Sequence, residues 1–364
     1  MKKMTEIAGC ISAAFLIVGC QNSEDGSEDL NDESVDESSA DEYNLDENEE
    51  LENNGEENGS NENKGEESLT EADENGNKEN EEDAIDETDE NDSDAYAGTQ
   101  ETPDYLIGSQ YIEAEVDGIV QFYTAFSIKR DGDEQLSHEE SIEMSLNDGD
   151  LSEQDILSSY ADISVEWPKL HIHFNEDGNE LSATSAQSGL FYDSLLGISD
   201  LYGIEEVLFF NPEGENDIIV AERGIDEPLI VQNERGLTRG YYTIYDEDLE
   251  ETLFLAGGEL DEQVEDESGE PLSFPETVEA MHSIDREDAF YSSAIVEGME
   301  IVNSSMENGI ATVQYTAEEE VVTEADLIVF ENAMQLAALD FHAWEVRLIN
   351  DTTKELITYP LVGQ

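Results

Sequence analysis

The sequence predicts an α+β fold: two tandem copies of a small mixed-sheet α/β module, with helices packed on one face, behind a disordered acidic N-terminal tether. Three observations carry this reading. First, a helix–turn–strand pattern occurs twice, as GLFYDSLLGISDLYGIEEVLFFN at Gly189–Asn211 and ADLIVFENAMQLAALDFHAWEVRLIN at Ala325–Asn350. The closing strands superimpose without gaps, Glu205–Asn211 on Trp344–Asn350, and the same register sets Phe191 on Phe330, Leu195 on Met334, Ile198 on Ala337 and Tyr202 on Phe341. Second, short segments rich in β-branched and aromatic residues precede each copy, which is strand composition. Third, residues 21–103 hold 34 acidic side chains against Lys64 and Lys78 alone, with only Tyr43 and Tyr96 as aromatics.

That third stretch cannot bury enough apolar surface to offset its ordering entropy. Like-charge repulsion extends it, so its expected function is spacing. The organisation read from the sequence is therefore a signal peptide over 1–19, a tether over 20–103, a first module over 104–224 and a second over 225–364. Charge excess continues into the modules, with 60 acids against nine Lys and Arg after residue 103. No basic patch exists to neutralise phosphates, which excludes nucleic acid as a partner.

The N-terminus reads MKKMTEIAGCISAAFLIVGC. Lys2 and Lys3 form a positive region, and Ile7–Gly19 an apolar core of 13 residues, short of the ~20 that span a bilayer. Ile17-Val18-Gly19-Cys20 resembles the bacterial lipobox. Ile7-Ala8-Gly9-Cys10 has the same letters but no apolar core ahead of it. The resemblance implies cleavage before Cys20, a lipid (palmitate among its chains) on that cysteine, and anchoring on the outer face of the cytoplasmic membrane of a Gram-positive envelope. Several chains hold a protein stably at a bilayer. With Cys20 lipidated no other cysteine remains after it, so disulfides, thiolate metal sites and a cysteine nucleophile all drop out.

In the first module Gly118–Lys129 reads as a strand. Ser137 with Glu140 three residues on is a capping box that starts a short helix with Ile142, Met144 and Leu146 as apolar contributors. Leu170–Phe174 alternates, with Leu170, Ile172 and Phe174 on one side and His171 and His173 on the other. His-x-His on a strand face can ligate metal, but no third ligand stands out, so the pair is read as strand histidines. The helix Ser188–Leu201 follows, then the strand Val207–Phe210, apolar on both sides and so expected to be central and covered.

In the second module Arg239–Tyr245 (RGYYTIY) reads as a repeat of Gln121–Ser127 (QFYTAFS), and a long acidic connection carries Leu253–Leu255. Phe274–Thr277 opens a helical segment through Met281. Met299–Ser304 and Ile310–Tyr315 are strands joined through Asn308-Gly309, a strong hairpin signal, and they correspond to Ile163–Val165 with Leu170–Phe174. Thr323 caps the helix through Asp340, whose buried stripe is Leu327, Phe330, Met334, Ala337 and Ala338. Strands Trp344–Ile349 and Leu356–Leu361 close the module. The aromatics Phe122, Tyr123, Tyr241 and Tyr242 are read as half-buried sheet positions rather than a sugar platform. Asp131-Gly132-Asp133 and Asp246-Glu247-Asp248 start like calcium loops but lack Gly at the sixth position with Glu at the twelfth.

The hairpin residues Ile301, Asn308, Gly309, Ala311, Val313 and Tyr315, then Val346-Arg347-Leu348-Ile349-Asn350, resemble the GerMN domain family. Tandem copies behind a lipoprotein signal are similar to GerM-type lipoproteins of spore formation and germination. The resemblance implies a non-enzymatic role in the envelope, with peptidoglycan or envelope proteins as partners, and it brings no catalytic residues, metal or cofactor. An envelope-sensing regulatory lipoprotein is the alternative. A solute-binding protein or a cell-wall hydrolase comes after it, because no Gly-x-Ser-x-Gly, His-Glu-x-x-His or triad order singles out residues.

The surface charge also makes a physical expectation. Salt screens like charges over roughly 8 Å at ~0.15 M and roughly 3 Å at ~1 M. The melting temperature should therefore rise with NaCl over that range, as a protein suited to a saline or alkaline medium would show. A flat or falling curve in a thermal-shift titration counts against it.

Overall fold

The computed structural model describes residues 95–130, 136–152, 154–176, 185–286 and 288–361, all within one compact unit, Asp86–Gln364. The expected signal peptide, the lipidated Cys20, the tether up to residue 94 and the Asp131-Gly132-Asp133 cluster lie outside the described residues.

The chain opens with β1 (Ala97–Gln100), β2 (Leu106–Val116) and β3 (Ile119–Lys129). Helices α1 (His138–Asp148) and α2 (Ile156–Tyr160) follow, then β4 (Ala161–Glu166), β5 (Lys169–Phe174), α3 (Ser185–Leu201) and β6 (Glu206–Phe210). A small hairpin, β7 (Ile218–Val220) and β8 (Arg223–Ile225), leads to β9 (Leu229–Ile230) and α4 (Val231–Arg235). The second half runs through β10 (Tyr241–Asp246), β11 (Glu251–Ala256), a 3-10 turn at Gly257–Leu260 and α5 (Phe274–Ala280). It ends with β12 (Met299–Glu307), β13 (Ile310–Ala317), α6 (Glu324–Asp340), β14 (Glu345–Asn350) and β15 (Glu355–Pro360).

The local signals act as the sequence reading expects. Ser137 and Thr323 each accept from the backbone N–H three residues on, while Glu140 and Asp326 bond back to the cap N–H. Asn308 and Gly309 both have positive φ, 51° and 74°, as a two-residue primed hairpin turn requires. Met144 departs from the reading: Ile142 and Leu146 are buried, but Met144 is turned outward, because i and i+4 share a helix face and i+2 does not.

Two sheets share one topology. In the order β4-β5-β6-β9, the first pair is antiparallel, the second parallel and the third antiparallel; β12-β13-β14-β15 repeats this. The registers correspond too. Val207 lies opposite Leu170 and Phe209 opposite Ile172; Val346 lies opposite Ala311 and Leu348 opposite Val313. The long helix in each copy crosses between the two parallel strands. The strand β9 closes the first sheet after residue 224.

The opening hairpins form a third sheet in the order β10-β11-β3-β2, so it draws strands from both copies. This corrects two expectations. Leu253–Leu255 is not connection but part of β11. Arg239–Tyr245 matches the outer strand β2 by position, whereas Gln121–Ser127 lies on the inner strand β3. Inner strands are buried on both faces, as Tyr123–Ile128 are. Tyr241 and Tyr242 are likewise fully buried, not half-buried.

The helices are not confined to one exposed layer. α3 and α6 contact the shared sheet through β2, β3 and β10, and their side chains join one core cluster with the sheets of their own copies. Ser194–Ser199 and Ala333–Asp340 are buried at every position, the mark of a helix covered all round. A second cluster on the far face of the shared sheet joins Ile112, Ala125, Tyr242 and Leu255 to Leu260 and Tyr291.

Residues 97–100 also leave the expected tether. β1 pairs parallel with β15, with Ala97 N–H on Lys354 O at 2.8 Å and Glu101 N–H on Thr358 O at 2.9 Å. All four side chains are exposed, so no hydrophobic alternation marks the strand; the backbone ladder holds it.

Truncating equivalent core residues tests the shared architecture. Phe191→Ala and Phe330→Ala should each cost about 3–5 kcal/mol and give one unfolding transition in urea. Two separated transitions would mean that the copies fold independently.

Candidate functional site

Where α3, α4, β3 and the 3-10 turn meet, the surface opens into a cleft of about 330 Å³. Arg235, the last residue of α4, lines it with a side chain only 4% exposed. Its guanidinium lies 5.3 Å from the Phe126 ring centre and against Gly197, where a Cβ would come within 2.4 Å of Nη1. Asp200 Oδ2 stands 3.7 Å from Nε, too far for a hydrogen bond. Among the described residues Nε and Nη2 have no hydrogen-bond acceptor. Burial lowers the guanidinium pKa, but Glu259, Asp200, Asp340 and Tyr241 outweigh it and raise the pKa, so Arg235 stays charged.

Acids surround that cation. Glu259 reaches solvent but stands in the crowded cleft; desolvation, with Asp193 and Asp340 adding repulsion and Arg235 opposing, pushes its carboxyl up to about 7. Desolvation also raises Asp193, again against Arg235. Thr124 on β3 is 1% exposed, and its hydroxyl has no partner among the described residues. Glu234, by contrast, is held by Arg223 through two bonds of 2.9 Å. The exposed ring of Phe122 stands at the rim.

Behind the cleft, Asp340 at the end of α6 accepts from Thr238 Oγ1 at 2.8 Å and Tyr241 OH at 3.2 Å, while its Oδ2 has no partner among the described residues. Burial first, then Asp200, push it up to about 6, against Arg235 and Arg239. Arg239 stacks 3.9 Å over the Phe341 ring and donates to Asp340 O at 3.2 Å.

The other sequence candidates fall elsewhere. His171 and His173 flank Phe210, with ring centres at 5.6 and 4.5 Å, rather than converging on a carboxylate. Among the described residues no three His, Cys, Asp or Glu are grouped to hold a metal. Leu208 and Phe210 are half-buried on that face, so β6 is central but covered on one side only. Asp246 Oδ1 accepts the backbone N–H groups of Asp248 and Leu249, an Asx turn. A larger groove, about 800 Å³, runs between α5 and the edge strand β12, which bulges at Val302. Among the described residues no unpaired buried polar atom lines it.

Sequence reasoning missed Arg235, Asp193, Glu259 and Thr124. The readable signal is scarcity: an arginine in a chain so poor in cations, next to a Gly and near the start of the second copy.

The fold and cleft define a mixed α+β protein of duplicated modules around an acidic cleft built on one buried arginine. No protein-family model and no curated protein matches the chain. Among solved structures it is similar to the tandem GerMN domains of the sporulation protein GerM from Bacillus subtilis, at 10% identity over 72% of this chain and 100% of that one, with a TM-score of 0.39. No helix among the described residues is long and apolar enough to cross a membrane.

Asp340 makes the stability pH-dependent. Its folded pKa, about 6, exceeds the ordinary 3.8. Between those values the folded state binds more protons, so stability falls as pH rises through about 4–6. Asp340→Asn keeps the Thr238 and Tyr241 contacts and should remove up to about 3 kcal/mol of that fall. Urea melts at pH 4 and pH 7 measure the difference; an unchanged slope would contradict it.

Proposed function

We propose that the protein is a lipid-anchored, extracytoplasmic envelope protein that recognises envelope components without transforming them. The observation that carries this reading is the lipobox-like Ile17-Val18-Gly19-Cys20 behind a positively charged, apolar segment and ahead of a long acidic stretch. The junction cleft supports recognition. Its unpaired donors and crowded acids suit a ligand that completes them, and they converge from both copies. The binding partners on this reading are peptidoglycan or envelope proteins. A part in sporulation or germination rests on the resemblance of residues 299–350 to the GerMN pattern.

Cys20→Ala tests the anchor. In cells the wild-type protein should incorporate palmitate label and sediment with membranes. The variant should lose the label and remain unprocessed at the signal peptide. Label retained on Cys20→Ala sinks the assignment. Pull-down on purified cell wall and on envelope extracts tests recognition, and retention of nothing by either counts against it.

A further inference from the structure

We propose that the junction cleft holds a small zwitterion of the amino-acid type, with its carboxylate on Arg235 and Thr124 and its ammonium between Asp193 and Glu259. This deepens the recognition role above and rests on it.

The case begins with what the cleft leaves undone. A buried cation with free N–H groups is costly unless an acceptor reaches it. Among the described residues Arg235 has two such nitrogens, and the hydroxyl of Thr124, which lines the same cleft, is also unused. A carboxylate fits a guanidinium fork best, because its two oxygens match two parallel N–H groups. Yet a bare anion would face Asp193, Glu259 and Asp340, whose charges already repel one another. A bare cation would suit the carboxyls but meet Arg235 and leave its donors unpaired. A ligand carrying both charges satisfies each side. The volume, about 330 Å³, leaves room for one amino-acid unit.

The carboxyls add a pH signature. Arg235, Asp193 and Asp340 are the charged groups that face Glu259; desolvation first, with Asp193 and Asp340, holds its proton up to about 7 against the pull of Arg235. An ammonium beside it favours the ionised form, so binding expels a proton. Affinity should then fall as pH drops through that value.

The test is calorimetric titration of the full-length protein in detergent with alanine of either hand, acetate, ethylammonium and N-acetylglucosamine. Alanine should bind, and acetate and ethylammonium should each bind at least about tenfold more weakly. Asp193→Asn and Glu259→Gln are at exposed positions and should keep the melting temperature while weakening alanine binding by about tenfold. Wild-type affinity should drop between pH 8 and pH 5.5, and Glu259→Gln should flatten that drop. Absence of alanine binding, binding of the sugar alone, acetate binding as tightly as alanine, or variants that bind as well as wild type would each overturn the assignment. Retention on cell wall or envelope extract without alanine binding would overturn the ligand class and leave the envelope role standing. Loss of both would overturn both.

Discussion

Two helices with runs of residues buried on every side, Ser194–Ser199 and Ala333–Asp340, set the terms for everything around them. The C-terminal halves of α3 and α6 lie between the sheets of their own copies and the sheet both copies share. A helix in that position must admit neighbours at close range. At Gly197 a Cβ would come within 2.3 Å of Phe126 Cζ and 2.4 Å of Arg235 Nη1. A glycine inside a helix costs roughly 1 kcal/mol against alanine; here the missing Cβ lets the shared sheet and a guanidinium rest on the helix. Phe126 in turn lies opposite Phe254, the single paired position between β3 and β11. The seam of the two copies thus passes through one glycine and the ring packed on it.

Scarce cations are concentrated at the same seam. Of the nine Lys and Arg after residue 103, Arg130, Arg235 and Arg239 contact elements of the other copy or the helix ends that face it. Surface ion pairs such as Lys129–Glu251 and Arg286–Asp117 contribute little at exposed positions. Arginine suits the buried places because its flat fork stacks on rings and reaches several acceptors at once. In so acidic a chain it also dilutes repulsion where the helices end in Asp200 and Asp340.

Much of the architecture was legible because core positions have a period. The helix and strand of each copy, the caps at Ser137 and Thr323 and the Asn308-Gly309 turn act locally, and local rules recover them. The missed strands lack such a mark. β1 buries no side chain, and β11 was hidden by the acids that flank Leu253–Leu255. In β2 the alternation of Ile107 and Ser109 shifts phase before Ile112, where Gln110 and Tyr111 both face out. The cleft was illegible for a different reason. Its residues come from four elements far apart in sequence, and among 60 acids neither Asp193 nor Glu259 is distinguishable until the fold crowds it.

The duplication itself supplies the contrast that singles out Arg235. Extending the register that sets Leu195 on Met334 places Leu196 on Gln335, so the α6 counterpart of the cleft wall should meet an arginine too. It does: Arg130 Nε donates to Gln335 Oε1 at 2.9 Å, Nη2 donates to Pro360 O at 2.8 Å, and Nη1 donates to Thr102 O. The rings of Tyr105 and Tyr359 close over its guanidinium at 5.1 and 5.3 Å. Gln335 is neutral and supplies an acceptor; Leu196 supplies none. The first copy's Arg130 is therefore completed across the seam, by the N-terminal segment, α6 and the end of β15. The other copy leaves its arginine facing a cleft, with acids set where a bound cation could rest. Packing alone explains the first arrangement. The second holds a buried charge whose donors are unspent among the described residues, the cost that the proposed zwitterion offsets.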